Sequence, residues 1–383
     1  MSKNKKILIF LGSLTSGGTE RVVVSLSKYL AKKKYNVTVV TLDSTERDFY
    51  RLDKKVRRIA MDAAGATAGA GKYFDNIRRV HSFRSILKKE KPDIVQGMIT
   101  RHAVISLIAS AGLSVKVAVS ERNYPAKRKN HSMWEILRSV FYRFADLHIV
   151  QTKKIAEWIE RNTGAKNVRV IPNSISWPIA RFEPILLPKD YLQPAENLIL
   201  AAGTLKHQKG FDLLLEAAVK LLPDYPGWKL VILGEEKNES GSKGLRDEFE
   251  KIIAENGLTD RILLPGRAGN IGDWFSRADI FVLSSRFEGF PNVLLEAMAS
   301  GCASVAFDCD TGPSDLIKQN ENGVLVSPGD TEALKSHIRY LIENLKFRQE
   351  IASNAKKVRE LYSEEKVLGE WVKVLEELVS SDD

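Results

Sequence analysis

Cysteine is almost missing from this sequence: the 383 residues contain two, Cys302 and Cys309, both in an apolar stretch. That excludes a disulfide framework and a cysteine-built metal site, and points to reduced core thiols. Long apolar runs are also missing. Ile7 to Leu11, behind the basic start, is too short for a signal peptide or a span of about 18 residues, so a cytoplasmic protein is expected. Two phosphate-binding signatures fail as well. Residues 63–73 imitate a P-loop, but Ala66 stands where the first glycine belongs and Tyr73 where a magnesium-binding hydroxyl belongs. The glycine loop at residues 12–21 lacks the G-x-G-x-x-G spacing of dinucleotide oxidoreductases. Asp308 and Asp310 flank Cys309, yet no histidine or further carboxylate stands at ligand spacing, so no metal is expected there.

What is present is charge of one sign, unevenly spread. Residues 1–190 hold 36 Lys and Arg against 16 Asp and Glu, while the remainder holds 22 against 32. A basic first half suits nucleic acid or an anionic membrane surface. No nucleic-acid reading motif accompanies it, and such a role would leave the acidic half idle. The membrane is therefore the expected partner, through 72–91 (Phe74, Ile77, Val80, Phe83, Ile86 and Leu87 among lysines and arginines) and 122–144 (Lys127, Arg128 and Lys129 beside Tyr124, Met133, Trp134 and Phe141).

Strand-like and helix-like segments alternate almost to the end, the pattern of doubly wound parallel sheets. Strands are expected at 6–12, 37–42, 56–61, 93–98, 115–120, 147–151 and 168–172, with helices at 18–34 and near 80, 106, 138 and 157. Pro172, Pro178, Pro184, Pro188 and Pro194 then break the rhythm, and 181–196 is expected to be a linker. The alternation restarts at 198–203 and runs to 323–326, followed by helices near 332–344, 346–361 and 364–379.

Three motifs carry chemistry. The loop Gly12-Ser13-Leu14-Thr15-Ser16-Gly17-Gly18-Thr19-Glu20-Arg21 joins the first strand to the first helix, where backbone N–H groups and a helix N-terminus attract phosphate. Ala202-Gly203-Thr204-Leu205-Lys206-His207-Gln208-Lys209-Gly210 follows the first strand of the second half and puts Lys209 where a phosphate belongs. Most specific is Ser284-Ser285-Arg286-Phe287-Glu288-Gly289-Phe290-Pro291-Asn292-Val293-Leu294-Leu295-Glu296. Glu288 lies in a Gly/Pro loop and Glu296 on an apolar helix, a poor place for an acid unless hydroxyls or N–H groups satisfy it.

As a set, these residues, with Asn322-Gly323-Val324-Leu325-Val326, resemble the retaining glycosyltransferases of family 4, of the two-domain GT-B class. The resemblance implies an α/β fold of two Rossmann-like doubly wound domains facing each other across a cleft. Residues 1–180 form the acceptor-side domain, completed by a returning helix at 364–383, and 197–363 form the nucleotide-sugar domain. It implies Glu288 and Lys209 as catalytic residues. Donor binding is assigned to Gly17, Gly18, Thr204, Lys209, Arg267, Glu288, Phe290, Pro291, Asn292 and Glu296, with Glu288 on the sugar and Glu296 on the ribose. Thr204 stands where many members have arginine, and Lys206 is the candidate substitute. Ser120-Glu121-Arg122-Asn123 replaces a common histidine and resembles the subgroup that builds bacterial lipid-linked oligosaccharide, capsule and lipopolysaccharide; Glu121, Arg122 and Asn123 are its acceptor-side candidates. The implied reaction moves a hexose or N-acetylhexosamine from a nucleotide sugar, with UDP favoured, to a glycan or lipid-linked acceptor. It uses no metal and takes place at the cytoplasmic face of the inner membrane. An epimerase or a phosphorylase of the same architecture is the alternative.

Overall fold

Parallel strands need crossover connections, and amphipathic helices between apolar strands supply them. The computed structural model describes residues 5–63, 71–127, 132–236 and 242–380. It divides into two units, residues 1–174 with 364–383 and residues 175–363. Most of the Ala/Gly segment 63–73, and Arg128 and Lys129, lie outside the described residues.

The first unit runs β1 (Lys6–Leu11), α1 (Gly18–Lys32), β2 (Asn36–Thr41), β3 (Arg57–Ala60), α2 (Gly71–Glu90), β4 (Ile94–Met98), α3 (Ile99–Ser110), β5 (Lys116–Ser120), α4 (Ser132–Phe141), β6 (Leu147–Val150), α5 (Lys153–Thr163) and β7 (Val168–Val170). Its strands are parallel in the order β3-β2-β1-β4-β5-β6-β7. β1 is apolar without alternation because both faces are covered. Ile7, Ile9 and Leu11 pack with Val23, Leu26 and Leu30 of α1. Leu8 and Phe10 pack with Phe83 of α2 and Ile105 of α3.

The second unit runs β8 (Asn197–Ala202), α6 (Phe211–Leu221), β9 (Trp228–Leu233), α7 (Leu245–Glu255), β10 (Ile262–Gly266), α8 (Ile271–Arg277), β11 (Ile280–Leu283), α9 (Asn292–Ser300), β12 (Ala303–Phe307), α10 (Pro313–Leu316), β13 (Val324–Val326), α11 (Thr331–Glu343), α12 (Leu345–Ala355) and α13 (Val358–Leu361). Its parallel order is β10-β9-β8-β11-β12-β13. Helix α8 has no counterpart in the sequence reading: seven residues give less than two full periods of an apolar stripe.

Residues 181–196 pack on the second unit. Leu192 is buried, Leu186 and Tyr191 pack on the same core as Trp274, and Trp274 Nε1 donates to Leu186 O at 2.8 Å. Asn270 clasps Leu186 from both sides, accepting from its N–H at 2.9 Å and donating to its carbonyl at 2.8 Å. The prolines leave the segment with a short 3-10 turn, Pro188–Asp190, and the apolar residues between them still find a core. The last helix, α14 (Glu364–Ser380), belongs to the first unit. It buries Val367, Leu368, Trp371, Leu375 and Leu378 against the α1 face. Tyr29 and Tyr35 donate to Glu365 and Glu376 at 2.9 and 2.6 Å.

Candidate active site

Open parallel sheets bind ligands beyond the carboxyl ends of their strands, where the strand order reverses. In the second unit that reversal lies between β8 and β11, and the loops leaving these two strands carry Lys209 and Glu288. The structure brings the two together: Lys209 Nζ donates to Glu288 Oε1 at 2.6 Å. Ser285 Oγ donates to the same oxygen at 2.6 Å. Glu288 is only 6% exposed, so its charge is held by an ammonium and a hydroxyl instead of by water.

The two loops are tied to each other along their length. Arg286 N–H donates to Gln208 O at 2.8 Å, and the Gln208 amide returns a bond to Phe287 O at 2.9 Å. Ser284 Oγ donates to Lys209 O at 2.9 Å. The Arg286 guanidinium grips both oxygens of Asp212 at 2.8 and 2.5 Å and donates to His207 O at 2.7 Å. Burial pushes the Asp212 carboxyl up, but its hydrogen bonds and charge contact with Arg286 outweigh this and hold it below the usual range. Gly210 makes the close approach possible. Its φ of +62° is left-handed, and a Cβ there would lie 2.0 Å from Ser284 O. Thr311, beyond β12, donates its hydroxyl to Glu288 O and braces the loop from the other side.

The other donor-side candidates of this unit cluster on the same edge. Phe290 and Pro291 are buried and lead into α9, whose first residue is Asn292. Glu296 lies one turn further on, buried among Leu294, Leu295, Ala297 and Met298. Thr204 and Arg267 are half-buried just beyond β8 and β10. Ser285, Gln208, Thr311 and the Asp212–Arg286 pair have no role in the sequence reading. A serine adjoining the Glu288 loop is the one signal that pointed to any of them.

In the first unit the reversal lies between β1 and β4. Gly17 caps α1 and Gly18 opens it, with the loop 12–17 leaving β1. Opposite, Ile99 opens α3 at φ +56°, an unusual conformation for a β-branched residue and the kind of strain found at functional edges. His102 Nδ1 donates to Met98 O at 2.9 Å, and its Nε2 is buried with no hydrogen-bond partner among the described residues. Burial pulls the His102 imidazole down to about 3, so the ring is neutral and Nδ1 carries the proton.

Of the acceptor-side candidates, Glu121 turns inward. Its Oε2 accepts from Thr100 Oγ1 at 2.7 Å and Tyr142 OH at 3.1 Å, with Arg138 Nη1 3.8 Å away. Arg122 is buried and Asn123 half-buried. The membrane segments also differ in detail from the sequence reading. Phe83, Leu87 and Trp134 belong to the core, whereas Phe74 and Ile77 on α2, and Ile136, Val140 and Phe144 on α4 and the turn after it, face outward. A helix apolar on two sides does not tell which side meets the sheet. Among the described residues no helix is long and apolar enough to cross a membrane.

Comparisons with known proteins match one family profile to each unit. "Glycosyltransferase Family 4" covers residues 16–176 and "Glycosyl transferases group 1" covers residues 187–358. An N-acetylgalactosaminyltransferase of Campylobacter jejuni, named for a diphospho-undecaprenol-linked glycan, is 27% identical over 97% of this chain and 99% of its own. The amylovoran biosynthesis glycosyltransferase AmsD of Erwinia amylovora is 28% identical over 97% and 99%. Among solved structures, sucrose-phosphate synthase of Thermosynechococcus elongatus superposes with TM-score 0.84 at 19% identity, covering 98% of this chain and 100% of that one. Anabaena HepE with UDP and glucose gives 0.78 at 18%, covering 97% and 99%. With both units matched along nearly their whole length and two parallel α/β sheets in place, this chain belongs to the family 4 glycosyltransferases and has the GT-B fold.

Proposed function

We propose that the chain transfers a hexose or N-acetylhexosamine from a UDP-sugar, with retention of configuration, to a glycan or lipid-linked acceptor in bacterial surface-polysaccharide or lipopolysaccharide biosynthesis. The observation that carries this reading is the Lys209–Glu288 contact at the strand-order reversal of the second unit. Cleavage of the C1–O bond leaves negative charge on the departing diphosphate, and preorganised cations and N–H groups stabilise it. Lys209 supplies the cation, and the opening of α9 after Pro291 supplies N–H groups. Both contacts to the Glu288 carboxylate fall on Oε1, so Oε2 serves a sugar hydroxyl. Glu296, at the ribose, takes hydroxyls of the nucleotide. The acceptor oxygen bonds to C1 on the face the diphosphate leaves, and its proton passes to the leaving phosphate oxygen. No step in this scheme runs through a metal. The relatives named for a diphospho-undecaprenol-linked glycan and for amylovoran biosynthesis, and the fold neighbour bound to UDP, support the choice of acceptor and donor.

The same proposal seats the first unit on an anionic membrane surface at the cytoplasmic face of the inner membrane. Its two helical layers differ in charge. The layer α2 to α5, with the turn Tyr142–Phe144, carries twelve Lys and Arg against five Asp and Glu; α1 with α14 carries five against six. The basic layer also presents the outward stripe Ile136, Val140 and Phe144 at helical spacing, with Ile136 63% and Phe144 66% exposed. Basic charge plus exposed apolar side chains is what interfacial attachment requires.

A thermal-shift screen of UDP-, GDP- and ADP-sugars tests the donor, since a ligand at one hundred times its Kd stabilises by about 2.7 kcal/mol. Stabilisation by a UDP-sugar, followed by its transfer to an acceptor, is expected. A shift with another nucleotide overturns the donor, and an epimerised sugar nucleotide released without acceptor overturns the reaction.

A further inference from the structure

Arg122 is a buried cation lacking the partners such a group needs. It lies two residues past the Ser120–Ile149 pair of β5 and β6 and is 6% exposed. Its Nη2 donates to Oδ1 of Asn173, three residues beyond β7, and its Nη1 is buried with no hydrogen-bond partner among the described residues. The adjacent carboxylate does not fill the gap. Glu121 Oε1 takes the Arg122 backbone N–H at 3.3 Å, and Oε2 is occupied by Thr100 and Tyr142 and faces Arg138. A guanidinium has five donors and no acceptor, and burying it without a bound anion is costly. Burial draws the Arg122 pKa down to about 10 even with the Glu121 charge nearby. On the adjacent strand end, Gln151 buries Oε1 without a donor. An unsatisfied donor, Arg122 Nη1, and an unsatisfied acceptor, Gln151 Oε1, thus stand on neighbouring strand ends, on the carboxyl-end edge of the sheet beside the β1/β4 reversal and its neighbour β5.

We propose that Arg122, held by Asn173, is an oxyanion subsite for a phosphate of a phosphorylated sugar substrate. The phosphate belongs either to the donor diphosphate or to the lipid phosphate of the acceptor. Which of the two it is rests on the transferase reading; the existence of the subsite does not.

The test uses the full chain in a Lys209→Ala background, so that the cation of the second unit is out of play, with inorganic pyrophosphate as probe. Thermal shift and calorimetry should show binding that Arg122→Met weakens at least tenfold and Arg122→Lys weakens less. Because methionine replaces an unpaired buried charge with apolar volume, the unliganded Tm of Arg122→Met should be unchanged or higher. In the wild-type background, a tenfold rise in donor KM alone places the phosphate on the donor, and a rise in acceptor KM alone places it on the lipid phosphate. Undiminished pyrophosphate binding with both KM values unchanged overturns the subsite, as does a lowered Tm with binding intact. Should Arg122→Met fail to fold, wild-type binding by Arg122→Lys overturns it equally. If Lys209→Ala by itself keeps full transfer, the donor-site assignment falls while the Arg122 result stands.

Discussion

Replacing Gly210 with alanine separates backbone conformation from close packing, because Gly244 provides a control. Both are left-handed, at φ +62° and +81°, but a Cβ at Gly244 meets nothing within 4 Å among the described residues beyond its chain neighbours, while one at Gly210 would lie 2.0 Å from Ser284 O. Left-handed backbone costs an alanine about 1–2 kcal/mol in either place. The entropy that alanine removes from the unfolded chain is also common to both and cancels. At Gly210 the Ser284 carbonyl must retreat by about 1.5 Å to reach ordinary contact distance. Overpacking of that order adds about 1–3 kcal/mol. Gly210→Ala should therefore lose about 2–5 kcal/mol in urea unfolding, against about 1–2 kcal/mol for Gly244→Ala. The retreat also carries the loop of Glu288 away from Lys209. A misplacement of about 1 Å can cost about 10²-fold in rate, so transfer by the folded Gly210→Ala fraction should fall on that scale while Gly244→Ala keeps its turnover. Equal stabilities for the two variants, or full activity in Gly210→Ala, would refute the close-approach argument.

Protonation of His102 should weaken the fold as pH falls. Its folded pKa of about 3 lies below the unfolded value of about 6.5, so this stability is complete above pH 6.5 and declines toward pH 3. The loss is about 2 kcal/mol by pH 5, and His102→Asn should flatten the pH dependence of urea midpoints by one proton. Lys209→Ala leaves the buried Glu288 carboxylate with the Ser285 hydroxyl alone, so it should cost more stability than the double variant Lys209→Ala/Glu288→Gln. A coupling of about 1–3 kcal/mol in that cycle is expected, and strict additivity contradicts the pairing. Ile136, Val140 and Phe144 changed together to serine should reduce sedimentation with anionic vesicles and spare donor hydrolysis; unchanged sedimentation removes this stripe from the membrane surface.

The central strands were legible because they are apolar runs bounded by turn residues and buried on two faces, as in 7–11 and 198–202, whereas the edge strands β3 and β7 carry Arg57, Arg58 and Arg169 and are not fully buried. Lys209 and Glu288 were legible because each stands in a glycine-containing loop at a strand's carboxyl end. The clamp around them was not. Asp212 and Arg286 are 74 positions apart, Gln208 and Phe287 79, and no local pattern couples residues at that separation. For the same reason Asn173, 51 positions from Arg122, could not be paired with it. On α4 the periodicity showed an amphipathic helix but not which of its apolar stripes packs on the sheet. Trp134 faces in and Ile136 faces out, and only tertiary packing decides that.

The most direct test of the central claim is the single-turnover rate of sugar transfer at saturating donor, measured for wild type, Lys209→Ala and Glu288→Gln after each is shown to be folded. Loss of one preorganised stabiliser of developing charge predicts a fall of about 10²–10³-fold in each variant. Wild-type rates in either variant would contradict the assignment of the Lys209–Glu288 pair to the chemistry.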